Sequence, residues 1–308
     1  MNLIIVSIAE GLLWAVMAIG IFLSFRILQI ADLTIEGAFP LGAAVSAAMI
    51  AGGFNPLLAT LMGFVAGMLA GLVTGLLINK LNIPTLLAGI LTMTGLYSIN
   101  LRIMGQANIS LLNQDRFTQI LDKVFKLPSQ TNLILLASLI LTVIVAGLHL
   151  FFKTDLGQAL VATGDNERMA ASMGVKVQQM KILALMLSNG FVALSGSLIA
   201  QNNGYADISM GIGTIVIGLA SLMLAEVIYA NVSLGVRLTS LAVGSIIYRL
   251  LISLALSLGL QPNDLKLVSA ILLAFVIALP HFFKHYQSNL KAMKEGDNDW
   301  AITPLIQY

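Results

Sequence analysis

Two ionisable residues lie inside long apolar runs of the sequence. Glu10 interrupts the run NLIIVSIAEGLLWAVMAIGIFL, and Arg249 interrupts the run IIYRLLISL. Charged side chains in such runs are costly to bury, so they are commonly paired or functional. If each run crosses a membrane, both residues lie about 10–15 Å from the same end, at about 1.5 Å per residue. The pattern predicts an ion pair between helices or, alternatively, an arginine that receives a substrate carboxylate.

A short polar phrase occurs twice, as ADLTIEGAF and as ADISMGIGT, each time between two apolar runs. In the first phrase Asp32 or Thr34 can accept hydrogen bonds from the first N–H groups of the following helix. In the second phrase Asp207 or Ser209 can do the same. The phrases predict two capped helix starts, and chance recurrence of a capping pattern is the alternative.

Several polar residues of the apolar runs are candidates for lining a solute path, and Tyr97 is a further aromatic one. The candidates are Asp32, Glu36, Asn189, Asp207, Tyr248 and Arg249. Glu226 and Arg237 instead bracket a short turn, where we expect them to meet water or a soluble partner.

The stretch KTDLGQALVATGDNERMAASMGVKVQQMK, residues 153–181, is too polar to enter a bilayer. It predicts two short helices separated at Gly164, the second capped by Asp165 or Asn166 and ended by Gly174. Its apolar residues are mainly Ala and Met, which anchor poorly in lipid, so docking to a soluble partner is favoured over an interfacial helix. The predicted docking residues are Gly164, Asp165, Asn166, Glu167, Ala170, Met173 and Gly174.

Several kinds of chemistry are excluded by what the sequence lacks. It contains no cysteine, which rules out disulfides and thiolate metal sites. It has no glycine-rich phosphate-binding loop, so it cannot bind ATP by that route. It also lacks a His-Glu-x-x-His motif or paired aspartates in its apolar runs, and a net charge of +2 does not favour nucleic acid as a partner. We therefore expect that this chain is not an enzyme and binds no metal or cofactor of its own.

The elements that must position these residues are membrane helices. Hydrophobic residues make up 58% of the chain and charged residues only 10%, with a mean hydropathy of +0.94. The apolar runs are about 20 residues long, which matches a hydrocarbon core of about 30 Å. The sequence predicts an all-α, polytopic bundle of about nine spans, with eight to ten as the range. The predicted spans are 3–24, 37–52, 57–78, 86–104, 133–152, 181–200, 210–229, 234–258 and 267–281.

The distribution of basic residues orients these spans. Positive charge concentrates in the 153–180 connection and after residue 280, which predicts that both lie in the cytoplasm. Residues 1–285 then form the membrane domain and 286–308 a cytoplasmic tail. The two Asp phrases fall on opposite sides, ADLT inside and ADIS outside, as in an inverted repeat of residues 14–50 and 189–225.

Four glycines at a spacing of four share one face of the third span, which predicts close helix packing there. They are Gly63, Gly67, Gly71 and Gly75.

The order of residues in the 153–180 connection, followed by LSNGFVALSGSL, resembles permeases of the branched-chain amino acid and ribose importers, a family of bacterial ABC importers. The residues that carry the resemblance run from Thr154 through Gly164 and Asn166 to Gly174. GAFPLGAAVSA and GIGTIVIGLASLMLAE extend the likeness over most of the chain. Gly218–Ser221 stands where sugar and branched-chain members often have a Gly-Gly pair. With GSIIYRLL, this is similar to the sub-branch that includes permeases proposed for tryptophan and other aromatic amino acids.

The resemblance implies a multi-pass protein of the bacterial plasma membrane. Its implied partners are a second permease copy, most simply a homodimer, a cytoplasmic ABC ATPase dimer that binds ATP and Mg²⁺, and an extracellular solute-binding protein or lipoprotein. The 153–180 connection would be the element that couples to the ATPase. The expected solute is an amino acid, with a sugar or nucleoside as the alternative within the family and an ion-coupled secondary transporter as the alternative outside it.

Overall fold

A computed structural model describes residues 2–114, 116–117, 129–229, 232–261 and 264–278, most of which are helical. The helices are α1 (Asn2–Ile21), α2 (Ile35–Ala51), α3 (Pro56–Lys80), α4 (Thr85–Met104), α5 (Ser129–Lys153), α6 (Asp155–Asp165), α7 (Glu167–Ser172), α8 (Val177–Asn203), α9 (Thr214–Ile228), α10 (Leu234–Ser257) and α11 (Leu265–Ala278). A π-helical turn, Phe22–Ile27, continues α1. Two strands, β1 (Asn108–Ser110) and β2 (Tyr205–Asp207), pair antiparallel. The predicted all-α bundle is confirmed.

Seven helices of the described ranges are long and apolar enough to cross a membrane. Two of the nine predicted spans, 37–52 and 267–281, correspond instead to the shorter helices α2 and α11. The 17 residues of α2 extend about 26 Å at 1.5 Å per residue, less than a hydrocarbon core of about 30 Å. The count of nine was therefore approximate. The predicted tail, 286–308, lies outside the described residues, as do 118–128 of the connection before α5.

The bundle has two ends. The basic end carries Arg26, Lys80, Lys153 and Lys181, and the strand end carries β1 and β2. Because basic residues favour the cytoplasmic side, the prediction remains that the basic end faces the cytoplasm.

Helix α8 lies at the centre of the bundle. Helix α3 packs along it through Gly63, Gly67, Gly71 and Gly75, which are spaced four residues apart. A Cβ atom added at Gly67 would overlap Ala193 and Asn189, and one added at Gly71 would overlap the carbonyl of Leu185. The backbones approach too closely for any side chain on this face. The predicted packing face is confirmed.

Helices α2 and α9 both begin in the interior of the bundle and run in opposite directions. The starts of the two helices are in contact. The Gly213 N–H, directly before α9, donates a 3.0 Å hydrogen bond to Glu36 in the first turn of α2. Helix α2 runs to the strand end, where Ile50 and Ala206 belong to one buried cluster. Helix α9 runs to the basic end, where Glu226 in its last turn lies beside Arg26.

The two Asp phrases make the same local hydrogen bond. Asp32 accepts the Thr34 N–H at 2.9 Å, and Asp207 accepts the Ser209 N–H at 2.7 Å. Asp207 lies at the strand end, but Asp32 lies deeper than predicted, beside Asn189 near the middle of α8. The chain returns into the bundle after Ile27, and this return carries the phrase away from the basic end. The opposite runs of α2 and α9 agree with an inverted arrangement. Superposition of 14–50 on 189–225 stays a prediction.

Candidate functional site

Residues 153–181 form two short helices, α6 and α7, at the basic end. The Thr154 hydroxyl caps α6, and the Asn166 side chain caps α7 by accepting the Met169 N–H at 3.0 Å. The break between the helices is at Asn166, not at Gly164 as predicted, because Gly164 continues α6. Gly174 follows α7 with φ = +84°, a backbone conformation that favours glycine. It ends this helical element as predicted.

The predicted docking residues fall into two groups. Gly164 and Ala170 face the subunit: Gly164 packs against the carbonyl of Ile27, and Ala170 is fully buried. The other five are exposed, and they are Asp165, Asn166, Glu167, Met173 and Gly174. The side chain of Met173 is an apolar group that is 75% exposed. This exposed edge of α7 is the surface that a soluble partner can reach.

The π-helical turn after α1 touches both this docking element and α9. Ile27 supports Gly164, and the neighbouring Arg26 places its Nε 2.9 Å from Glu226 Oε1. Glu226 pairs within the subunit while its side chain remains 21% exposed, so the expectation that it meets water or a soluble partner stays a prediction. Two contacts, Gly164 with Ile27 and Arg26 with Glu226, therefore connect α6 to α9 through the π-helical turn.

Arg249 and Glu10 form the predicted ion pair between α10 and α1, with Nη2 3.4 Å from Oε2. The Arg249 guanidinium also lies over the ring of Trp14, 4.7 Å from its centroid. A cation above an indole face is attracted by the ring's electron distribution. The sequence analysis missed Trp14, although it lies one turn after Glu10 on the same helix. Arg249 is held by two neighbours on α1.

A buried polar network joins the segment between Ile27 and α2 to the helices α8, α3 and α4. Asn189 donates a 2.7 Å hydrogen bond to Asp32. The hydroxyl of Thr34 lies 2.8 Å from that of Thr74 on α3, which in turn donates to Thr92 on α4 at 3.0 Å. All five residues are buried. The network fixes the start of α2 inside the bundle.

A cavity of about 260 Å³ opens beside the start of α2. It is lined by Glu36, Gly37, Pro40, Met93, Thr94, Tyr97, Asn100, Ile208 and Ile212. Asn100 is fully buried and donates to the carbonyl of Gly37 at 3.2 Å, and no residue in the described part of the chain donates to its Oδ1. Tyr97 is half exposed at the wall. The cavity combines a carboxylate, an unpaired amide oxygen and an aromatic ring.

The six predicted path residues lie in different places, and only Glu36 lines this cavity. Asp32 and Asn189 bond to each other, Arg249 pairs with Glu10, and Tyr248 is buried with its hydroxyl 2.6 Å from Ser269 on α11.

The last of the six, Asp207, is partly exposed at the strand end and accepts a hydrogen bond from Asn108. Partial burial alone would raise the pKa of Asp207, but hydrogen bonds from Ser209 and Asn108 outweigh it, and the pKa lies below its usual value.

Comparison with known proteins gives one family. The branched-chain amino acid transport system permease component family matches residues 3–279. The tyrosine transport system permease protein of Clostridioides difficile is 40% identical over 278 residues, 90% of this chain and 91% of the relative. The ribose import permease protein of Bacillus subtilis is 31% identical over 62% of this chain and 60% of its own length. An inner membrane ABC transporter permease protein of Escherichia coli is 28% identical over 56% of this chain and 51% of its own length. No solved structure matches.

The predicted family is thereby confirmed, and with it a transport role in the plasma membrane in place of catalysis. The chain belongs to the branched-chain amino acid transport system permease family and is a multi-pass permease subunit.

Proposed function

We propose that this subunit conducts an amino acid, in particular an aromatic one such as tyrosine or tryptophan, into the cell as part of an ATP-driven importer. The observation that carries the proposal is the 40% identity to a tyrosine transport permease along 90% of the chain. The cavity beside Glu36 supports it, since its wall offers a carboxylate and the ring of Tyr97. The carboxylate can pair with the ammonium group that every amino acid carries and a simple sugar lacks.

Permeases of this family work with an ATPase and a solute-binding protein. We propose that ATP and Mg²⁺ bind to a cytoplasmic ATPase dimer, which docks on the exposed edge of α7. We propose further that a second copy of this chain completes the path and that an extracellular solute-binding protein or lipoprotein delivers the solute. The exposure of Met173 and the packing of Gly164 on Ile27 support the docking proposal.

Uptake by the reconstituted complex in liposomes tests the function. Labelled tyrosine should accumulate only with ATP, and excess tryptophan or phenylalanine should compete while ribose should not. Collapse of proton and sodium gradients should leave uptake unchanged. Uptake of ribose or a nucleoside in place of amino acids would overturn the proposed substrate class, and gradient-driven uptake without ATP would overturn the ATP-driven mechanism.

The docking proposal is tested by Met173→Glu, with Gln179→Glu as the matched control at another exposed position of the same connection. Met173→Glu places a charge on an apolar contact, so it should weaken ATPase co-purification by about tenfold or more. Gln179→Glu should leave co-purification unchanged. Equal co-purification of both variants with the ATPase would place the docking surface elsewhere.

A further inference from the structure

We propose that the cavity bounded by Glu36, Tyr97 and Asn100 binds the ammonium group of the transported amino acid. This inference rests on the proposed function and adds the residues that recognise the solute and the part of the solute that they bind.

Glu36 supplies the negative charge of the cavity. Its Oε1 accepts the 3.0 Å hydrogen bond from the Gly213 N–H, which holds the carboxylate in a fixed position at the meeting point of α2 and α9. Within the described part of the chain Glu36 has no ion-pair partner. Lys266 on α11 is the basic residue whose charge acts on it, and Lys266 is exposed. The half-buried carboxylate is therefore available to a cation from the path.

Asn100 supplies the second acceptor. Its amide nitrogen donates to the carbonyl of Gly37, which orients the amide, and among the residues that the structure describes none donates to Oδ1. Asn100 is fully buried and lines the cavity. A buried acceptor without a donor is unfavourable, so Oδ1, which is closed to solvent in this structure, would gain from a donor that a ligand brings within its reach.

The remaining wall also favours a cation. The Thr94 hydroxyl donates to the carbonyl of Ile90 at 2.8 Å and so presents lone pairs to its surroundings. The ring of Tyr97 can attract a cation through its face. A primary ammonium carries one positive charge and three N–H donors. An ammonium group matches a carboxylate, an amide oxygen and a hydroxyl oxygen better than a sugar hydroxyl does. Met93 and Ile212 offer apolar surface to the rest of the solute.

Thiol labelling tests the site directly, because the natural chain contains no cysteine. We would introduce Thr94→Cys and compare its reaction rates with cationic and anionic methanethiosulfonates in the assembled complex. The Glu36 charge should make the cationic reagent faster by about three- to tenfold, and Glu36→Gln should remove that preference while keeping an oxygen for Gly213. Thr239→Cys is the control, since Thr239 is exposed on α10 outside this cavity.

Protection experiments then identify the bound group. Tyrosine and its decarboxylated analogue tyramine, at millimolar concentration, should slow labelling at Thr94→Cys, whereas the deaminated analogue 3-(4-hydroxyphenyl)propionate should not. Protection by the deaminated analogue, or the absence of a charge preference at this position, would overturn the proposal. Neither outcome depends on Glu36→Gln folding, because both are measured with Glu36 in place.

Uptake separates this inference from the proposed function. If the wild-type complex imports tyrosine, Glu36→Gln should raise KM by about tenfold or more, and Thr239→Ser, at an exposed position outside this cavity, should alter it little. Tyrosine import with an unchanged KM in Glu36→Gln would reject the ammonium site and retain the function. Failure of the wild-type complex to import any amino acid would reject both.

Discussion

The side chains of Asn189 and Asp32 meet inside the bundle, with the Asn189 amide donating to the Asp32 carboxylate at 2.7 Å. Asp32 is 2% exposed and Asn189 is fully buried. The same carboxylate accepts the Thr34 N–H through its other oxygen. This pair attaches the segment before α2 to the middle of α8.

Replacing Asn189 by Leu should lower the stability of the detergent-solubilised subunit, because it leaves a buried carboxylate with one donor fewer. The expected loss is about 1–3 kcal/mol, seen as a lower Tm in thermal unfolding monitored by size-exclusion chromatography. Asn203→Leu, at the exposed end of the same helix, is the control and should change Tm little. The exchange Asp32→Asn with Asn189→Asp should recover part of the loss. An unchanged Tm in Asn189→Leu would show that the pair does not stabilise the fold.

Arg249→Ala should destabilise the subunit more than Glu10→Gln does. The ion pair has a distance of 3.4 Å and joins two apolar spans, so Arg249→Ala leaves the Glu10 carboxylate without its partner, whereas Glu10→Gln keeps a hydrogen-bonding group beside Arg249. Arg249 also loses its contact with Trp14 when it is replaced. The Tm values of Arg249→Ala, Glu10→Gln and Trp14→Leu in thermal unfolding rank the three losses of stability. A normal Tm for Arg249→Ala with a strongly raised KM for uptake would instead make Arg249 a substrate-binding residue.

Gly164→Val should disrupt the seating of α6 on the π-helical turn, because even a Cβ at this position overlaps the carbonyl of Ile27. We expect ATP hydrolysis that no longer drives uptake, measured as solute transported per ATP. Gly174→Ala is a glycine control in the same connection that tests backbone strain at φ = +84° without meeting a neighbour. Normal coupling in Gly164→Val would show that this contact does not transmit motion.

Arg26→Gln should also reduce the solute transported per ATP, since it removes the link between the π-helical turn and Glu226. The Arg26 side chain is 50% exposed, so the cost in stability should stay below about 1 kcal/mol. The charge exchange Arg26→Glu with Glu226→Arg should restore coupling in part. A large fall in Tm with normal coupling would make the pair purely structural.

The sequence was sufficient for features that depend on local pattern. The apolar runs predicted the long helices, the spacing of Gly63 to Gly75 predicted a close-packing face on α3, and similar depth predicted the pairing of Glu10 with Arg249. Contacts that depend on helix rotation were not predictable. Asn100 and Met93 reach the Glu36 cavity only because α4 turns that face toward α2.

The depth of Asp32 could not be read from its neighbours either. Nothing in ADLT shows that the chain turns back into the bundle after Ile27. Gly164 was predicted to end a helix because glycine is a poor helix former, but its actual position is set by a tertiary contact with Ile27.

The short length of α2 has a consequence for how the protein is made. A helix of 17 residues does not cover the full hydrocarbon thickness of about 30 Å, and most of its surface is buried by the rest of the chain. Its main neighbour is α8, and a Cβ at Gly42 would overlap the carbonyl of Ala193. Helix α8 begins only at Val177, so a ribosome completes α2 long before its partner emerges. The insertion machinery must therefore hold α2 without its final neighbours, and the bundle closes around it only late in synthesis.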